Sequence, residues 1–162
     1  MKSFIGSKLI SAKPMTRADY NVFRGWNLPE NENGEDKGWL VAYEDGGQAN
    51  TKEYAGYISW SPDEVFNKAY RATDGLSFGL AIEALKKGMK VARSGWNGKS
   101  MFLFLVDGST FQVNRAPLNK FYPEGTIINY LPHIDMKTAD DKIVPWLASQ
   151  TDVLADDWVI CD

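Results

Sequence analysis

Thr73-Asp74-Gly75-Leu76-Ser77-Phe78-Gly79-Leu80-Ala81-Ile82-Glu83-Ala84-Leu85-Lys86-Lys87-Gly88-Met89-Lys90-Val91-Ala92-Arg93 is the stretch on which the organisation of the chain turns. Thr73-Asp74-Gly75 has turn composition and marks a boundary. The pattern then restarts. Ser77 stands as a helix N-cap, and Phe78, Ala81, Ile82 and Leu85 recur at helical spacing behind it. Gly88 can adopt the left-handed conformation that ends a helix, and residues 89–93 read as a strand. A chain that turns, caps a new helix and feeds it into a strand has begun a second folding unit, so residues 1–74 and 75–162 are expected to form separate domains.

Downstream, strands are predicted at 101–106 and near 127–131. Asp107-Gly108 and Glu124-Gly125 lie in turns, and Pro117, Pro123, Pro132 and Pro145 interrupt the segments between. Residues 146–150 read as one helical turn and residues 158–160 as a last strand. Upstream, Thr16 followed by Asp19 forms an N-cap pair for a short helix through about Phe23. Residues 25–37 are loop chemistry, and residues 38–43 and 56–60 read as the two strands of a hairpin. Ser61-Pro62-Asp63-Glu64 places a hydroxyl at N-cap, proline at N1 and glutamate at N3, which predicts a helix running to about Arg71. Together these segments predict an α+β chain of two small units, each a short helix packed on a small antiparallel sheet.

Composition narrows the function classes. With 162 residues, 44% hydrophobic and 24% charged, the chain has the make-up of a globular protein. Six Trp, seven Tyr and eight Phe are a generous aromatic content, useful in cores and for stacking on planar ligands. The single cysteine, Cys161, has no intramolecular partner, which suits a reducing compartment. No apolar run approaches the ~20 residues that span a bilayer, and residues 1–14 lack a signal-peptide core, so a cytoplasmic protein with no membrane partner is expected. A net charge of −3 argues against a DNA- or RNA-coating protein. The charge is uneven, however. Residues 86–120 hold seven Lys or Arg against Asp107 alone, a local basic patch for a small anion.

Catalysis has stricter requirements, and the sequence meets few of them. The one histidine, His133, is followed by Asp135, but a zinc site needs more strong ligands at close spacing, and no nucleophile elbow, P-loop or dinucleotide fingerprint is present. His133 reads as a structural or ligand-contacting residue. The adjacent pairs Asp140-Asp141 and Asp156-Asp157 read as solvated turns.

Val91-Ala92-Arg93-Ser94-Gly95-Trp96-Asn97-Gly98-Lys99 is different. Two glycines flank an indole and an amide, so the backbone can bend tightly while the ring stands free. Arg93 and Lys99 add charge, and a guanidinium can fork onto phosphate oxygens. Residue chemistry alone leaves two readings open: a tight turn around a half-buried tryptophan, or a nucleotide-stacking loop.

Residues 78–87, the turn 93–98, the strand Met101-Phe102-Leu103-Phe104-Leu105, the stretch 129–137, and residues 144–152 with Asp157-Trp158 resemble the small phage domain of the second class of Thoeris anti-defence proteins. The resemblance runs in order over about residues 77–161. Residues 1–74 are similar instead to an accessory segment found beside this domain in some phage proteins. The resemblance implies a non-enzymatic sponge without cofactor or metal. Such a protein binds the cyclic ADP-ribose isomers (gcADPR-type signals) made by bacterial TIR enzymes and holds them uncleaved in the infected host's cytoplasm. Some members also hold cyclic dinucleotides. It further implies a homo-oligomer, tetramer or dimer, with pockets between subunits. Trp96 becomes the ligand-stacking residue, with Asn97 and Ser94 in the same turn, and Phe78, Arg93, Asn129, Asp152 and Trp158 follow by motif position. Two alternatives are a phage structural or interaction protein without a nucleotide ligand, and a hydrolase acting through His133 and Asp135, which lacks a third catalytic group.

Overall fold

A computed structural model describes every residue except 97–99 and 162. The chain divides into two compact units, Met1–Arg71 and Ala72–Asp162.

The first unit is a three-stranded antiparallel sheet, β1 (Ile10–Pro14), β2 (Gly38–Tyr43) and β3 (Tyr57–Pro62), with β2 in the middle. Helix α1 (Arg17–Arg24) starts where expected: Thr16 Oγ1 accepts the Asp19 amide at 3.1 Å, and Gly25 at φ 67° closes the other end. Its buried Tyr20 packs with Leu40, Ala42 and Ile58, alternate positions on one face of β2 and β3. Trp39 and Val41 point to the opposite face. There Trp39 stacks on Phe66 at 4.5 Å, and its indole donates to Asp63. The sheet is thus covered on both faces, by α1 and by α2 (Asp63–Ala69).

Two expectations change here. Ser61 and Pro62 do not cap and open a helix. They remain on the β3 ladder opposite Trp39 and Gly38, so α2 begins at Asp63 without a side-chain cap and ends at Ala69, where Tyr70 is extended. Strand β1, unforeseen, is an edge strand whose residues after Ile10 are all exposed, so it carries no hydrophobic alternation; its pairing with β2 makes it a strand.

The second unit contains α3 (Phe78–Lys86), β4 (Lys90–Arg93), β5 (Phe102–Val106), β6 (Ser109–Gln112), a 3-10 turn (Leu118–Lys120), β7 (Ile127–Tyr130), β8 (His133–Lys137), β9 (Ile143–Pro145), α4 (Gln150–Val153) and β10 (Trp158–Cys161). Five strands form one antiparallel sheet in the order β10-β4-β5-β8-β9, while β6 and β7 pair separately between β5 and β8. The last strand therefore returns to lie beside the first. Thr73 and Leu76 bond to the far side of β10, with Leu76 and Trp158 exchanging backbone hydrogen bonds of 2.8 and 3.1 Å. Gly88, at φ 82°, follows α3 as expected. The helix buries Ala81, Ala84 and Leu85 against Val91, Leu103 and Trp158.

The α+β class holds for the chain. Strands β6, β8 and β9 were not expected. The one-turn helix lies at 150–153 rather than 146–150, because the Ser149 hydroxyl and the Asp152 carboxylate form a reciprocal capping box.

Candidate functional site

Strand β4 ends at Arg93, and the chain leaves it through Ser94-Gly95-Trp96. Trp158, the first residue of the neighbouring β10, is completely buried and is the centre of an aromatic cluster. Phe78 at the start of α3 lies 5.5 Å from it, Trp96 meets it edge-on at 5.8 Å, and Trp146 edge-on at 6.0 Å. Such edge-to-face contacts suit the ring quadrupoles. Trp96 is half-buried on this bed, which leaves part of the indole free.

A polar clamp lies beside the aromatics. Arg93 Nε donates to Asp157 Oδ1 at 2.7 Å, and Nη1 donates to Asp152 Oδ1 at 2.9 Å and to the Thr151 carbonyl at 3.3 Å. The guanidinium also sits over the Trp158 ring at 5.9 Å. Asp157 reaches the turn as well, since its Oδ2 accepts the Gly95 amide at 3.3 Å and its carbonyl accepts the Ser94 amide at 3.0 Å. The titration behaviour follows. The hydrogen bonds that Arg93 donates to Asp157 and then to Asp152 raise its pKa above the ordinary value. Arg93 holds the Asp157 carboxyl below the usual range. Burial pushes the Asp152 carboxyl up, but bonds from Ser149 and Arg93 outweigh it, and the net shift is downward.

The structure thus brings together Phe78, Arg93, Ser94, Trp96, Asp152 and Trp158. Asn129 stands apart on β7, its Oδ1 accepting the Thr110 hydroxyl at 2.7 Å. Asn97 lies outside the described residues. Two roles change. Trp158, anticipated as a ligand contact, is fully buried with its indole N–H donated to the Asp152 carbonyl at 3.0 Å, so it supports the cluster from within. Arg93, anticipated as a phosphate fork, is already engaged by two carboxylates. Asp157, expected in a solvated turn, is the hub of the clamp.

Elsewhere, His133 Nδ1 lies 3.0 Å from the Leu131 carbonyl and Nε2 lies 3.6 Å from Asp135 Oδ1, a buried oxygen that accepts no hydrogen bond from the described residues. Among the described residues no group of three His, Cys, Asp or Glu side chains could hold a metal ion, and no helix is long and apolar enough to cross a membrane. A concavity that the sequence did not reveal is an open groove of ≈ 510 Å³ lined by Ser109, Phe111, Asn114, Arg115, Leu118 and Tyr130. Its residues come from both sides of the β6–β7 excursion, and the tip between those strands carries no periodicity for sequence reading to detect.

Fold and site define a small α+β domain in which an aromatic cluster and an arginine–carboxylate clamp support one tryptophan-bearing turn. Residues 76–161 match the Thoeris anti-defense 2-like domain, and the chain belongs to that family. It is similar to Thoeris anti-defense 2 of Bacillus phage SP01, 49% identical over 86 residues that make up 52% of this chain and 93% of the relative. The matched segment falls within the second unit.

Proposed function

We propose that the second unit binds cyclic ADP-ribose isomers of the gcADPR type and sequesters them without cleavage, blocking Thoeris immunity for the phage that encodes it. The carrying observation is the Trp96 turn: a part-exposed indole, held edge-on by Trp158, at the rim of a cluster that includes Phe78 and Trp146. A ring fixed in this way offers a stacking face at low entropic cost. Family membership supports the anti-defence role. Holding rather than hydrolysis fits His133, whose described contacts are a backbone carbonyl and Asp135, with no hydroxyl, thiol or amine nucleophile among them.

The groove around Arg115 combines aromatic rings with a guanidinium, Phe111 and Tyr130 meeting edge-to-face at 5.1 Å in its lining. It is the candidate position for a second ligand class such as a cyclic dinucleotide. A homo-oligomer, tetramer or dimer, belongs to the same reading. Edge strand β9 exposes Ile143 and Val144, and Leu147 just beyond it is 91% exposed, an apolar edge suited to a second copy.

Isothermal titration of the full chain with a gcADPR tests the proposal. The wild type is expected to bind, and Trp96→Ala to lose roughly 1–3 kcal/mol, the value of one stacking contact. Intact nucleotide recovered after heating the complex distinguishes holding from cleavage. A phage structural protein without a nucleotide ligand predicts no heat and no thermal protection, whereas ligand at 100 times its Kd adds about 2.7 kcal/mol of stability.

A further inference from the structure

We infer that Arg93, Asp157 and Asp152 form a positioning clamp that fixes the Trp96 turn, and that Arg93 serves binding through this turn rather than as a phosphate ligand. The inference rests on the binding reading above and refines it.

The geometry is that of a closed network. Two nitrogens of the Arg93 guanidinium, Nε and Nη1, are committed to different carboxylates at 2.7 and 2.9 Å. Each carboxylate is itself anchored. Asp152 Oδ2 accepts the Ser149 hydroxyl at 2.6 Å and the Ser149 amide at 3.0 Å, which ties it to the start of α4. Asp157 Oδ2 accepts the Gly95 amide, and its backbone carbonyl takes the Ser94 amide. Gly95 is suited to this approach, since a Cβ there would meet Asp157 Oδ2 at 3.2 Å. One residue thus grips the turn through both side chain and main chain, immediately before the buried Trp158 against which Trp96 rests.

The electrostatics point away from phosphate. One guanidinium and two carboxylates leave the clamp with a single net negative charge, and the side chains of Arg93 and Asp152 are only 20% and 15% exposed. A phosphate reaching the remaining guanidinium N–H groups of Arg93 would lie beside two carboxylates, each anchored at its other oxygen. Like charges at short range in a partly desolvated site repel strongly.

The test uses the full chain as wild type, Arg93→Ala, Arg93→Lys, Asp157→Asn and the Arg93→Ala/Asp157→Asn double variant, read in two ways. Without ligand, amide hydrogen exchange is followed at Ser94, Gly95 and Trp96. Loss of the clamp is expected to accelerate exchange there about tenfold or more while α3 keeps its protection. Unchanged exchange at the turn overturns the clamp whatever the ligand does. With gcADPR titrated at several salt concentrations, each single variant is expected to raise Kd about tenfold, and the double no further than about the same, because members of one network are not additive. Arg93→Lys should not restore binding, since an ammonium lacks the fork that spans both carboxylates. The salt dependence of binding should remain that of the wild type. If Arg93→Ala flattens it while Asp157→Asn leaves Kd unchanged, Arg93 is a phosphate ligand and the inference fails. Wild type that does not bind sinks the proposed function instead, and the exchange arm still decides the clamp. Asp157→Asn preserves side-chain volume, so it answers the question even if Arg93→Ala does not fold.

Discussion

Arg93 and Asp157 are 64 positions apart in sequence, yet their contact organises the turn that carries Trp96. Charge pairing of this kind has a pH signature whose sign follows from the shifts. Asp152 and Asp157 both titrate below their ordinary value in the folded chain. A depressed carboxyl contributes stability that is fully present above the unfolded value, about 3.9, and is lost as pH falls through the lower folded value. Asp157→Asn should therefore be less stable than wild type at neutral pH, with the gap closing below about pH 4 as the wild-type carboxylates take up protons. Thermal melts of both proteins from pH 2 to 7 check this; a gap that stays constant through the acid range contradicts it. The turn at Ser94-Gly95 was legible from its glycine. The engagement of Arg93 was not, because its partners lie 59 and 64 residues away and Asp156-Asp157 carries the composition of an exposed turn.

Elements whose own side chains alternate or recur were legible, and those defined only by a neighbour were not. Helix α3 and the β2–β3 hairpin announce themselves through apolar spacing and caps. Strands β1 and β9 lie at sheet edges with mostly exposed residues, so only the ladder to an inner strand identifies them. Ser61-Pro62 shows the converse. A strong local helix-start signal yields to pairing with β2, since tertiary hydrogen bonds outweigh a cap.

The same hairpin supplies a prediction at this scale. A Cβ on Gly56 would collide with the Tyr43 carbonyl oxygen, a backbone atom that cannot move without breaking the end of the ladder. Gly56→Ala should cost about 3 kcal/mol or more, at the upper end of overpacking penalties. A denaturant titration followed by tryptophan fluorescence would reveal it. By contrast, a methyl group on Gly75 would project into open space, and Gly75→Ala should shift the midpoint little.

At the scale of the molecule, the two units have separate cores. Tyr20, Leu40, Ala42 and Ile58 belong wholly to residues 1–71, whereas the second core draws on Leu76, α3, Val91, Leu103 and Trp158. Every strand of each sheet pairs within its own unit. The family match and the Trp96 cluster both lie in the second unit, so a protein of residues 72–162 should fold by itself and bind gcADPR with the full chain's Kd, within about threefold. Gly56→Ala in the full chain should lower the first unit's unfolding transition and leave ligand binding intact. Titration and scanning calorimetry of the two proteins measure both effects. Weaker binding by residues 72–162, with their fold and oligomeric state unchanged, would assign the first unit a part in the ligand site. Weaker binding together with a changed oligomeric state would assign it a part in assembling the subunits around the pocket. Equal binding would leave the first unit free for a partner of its own.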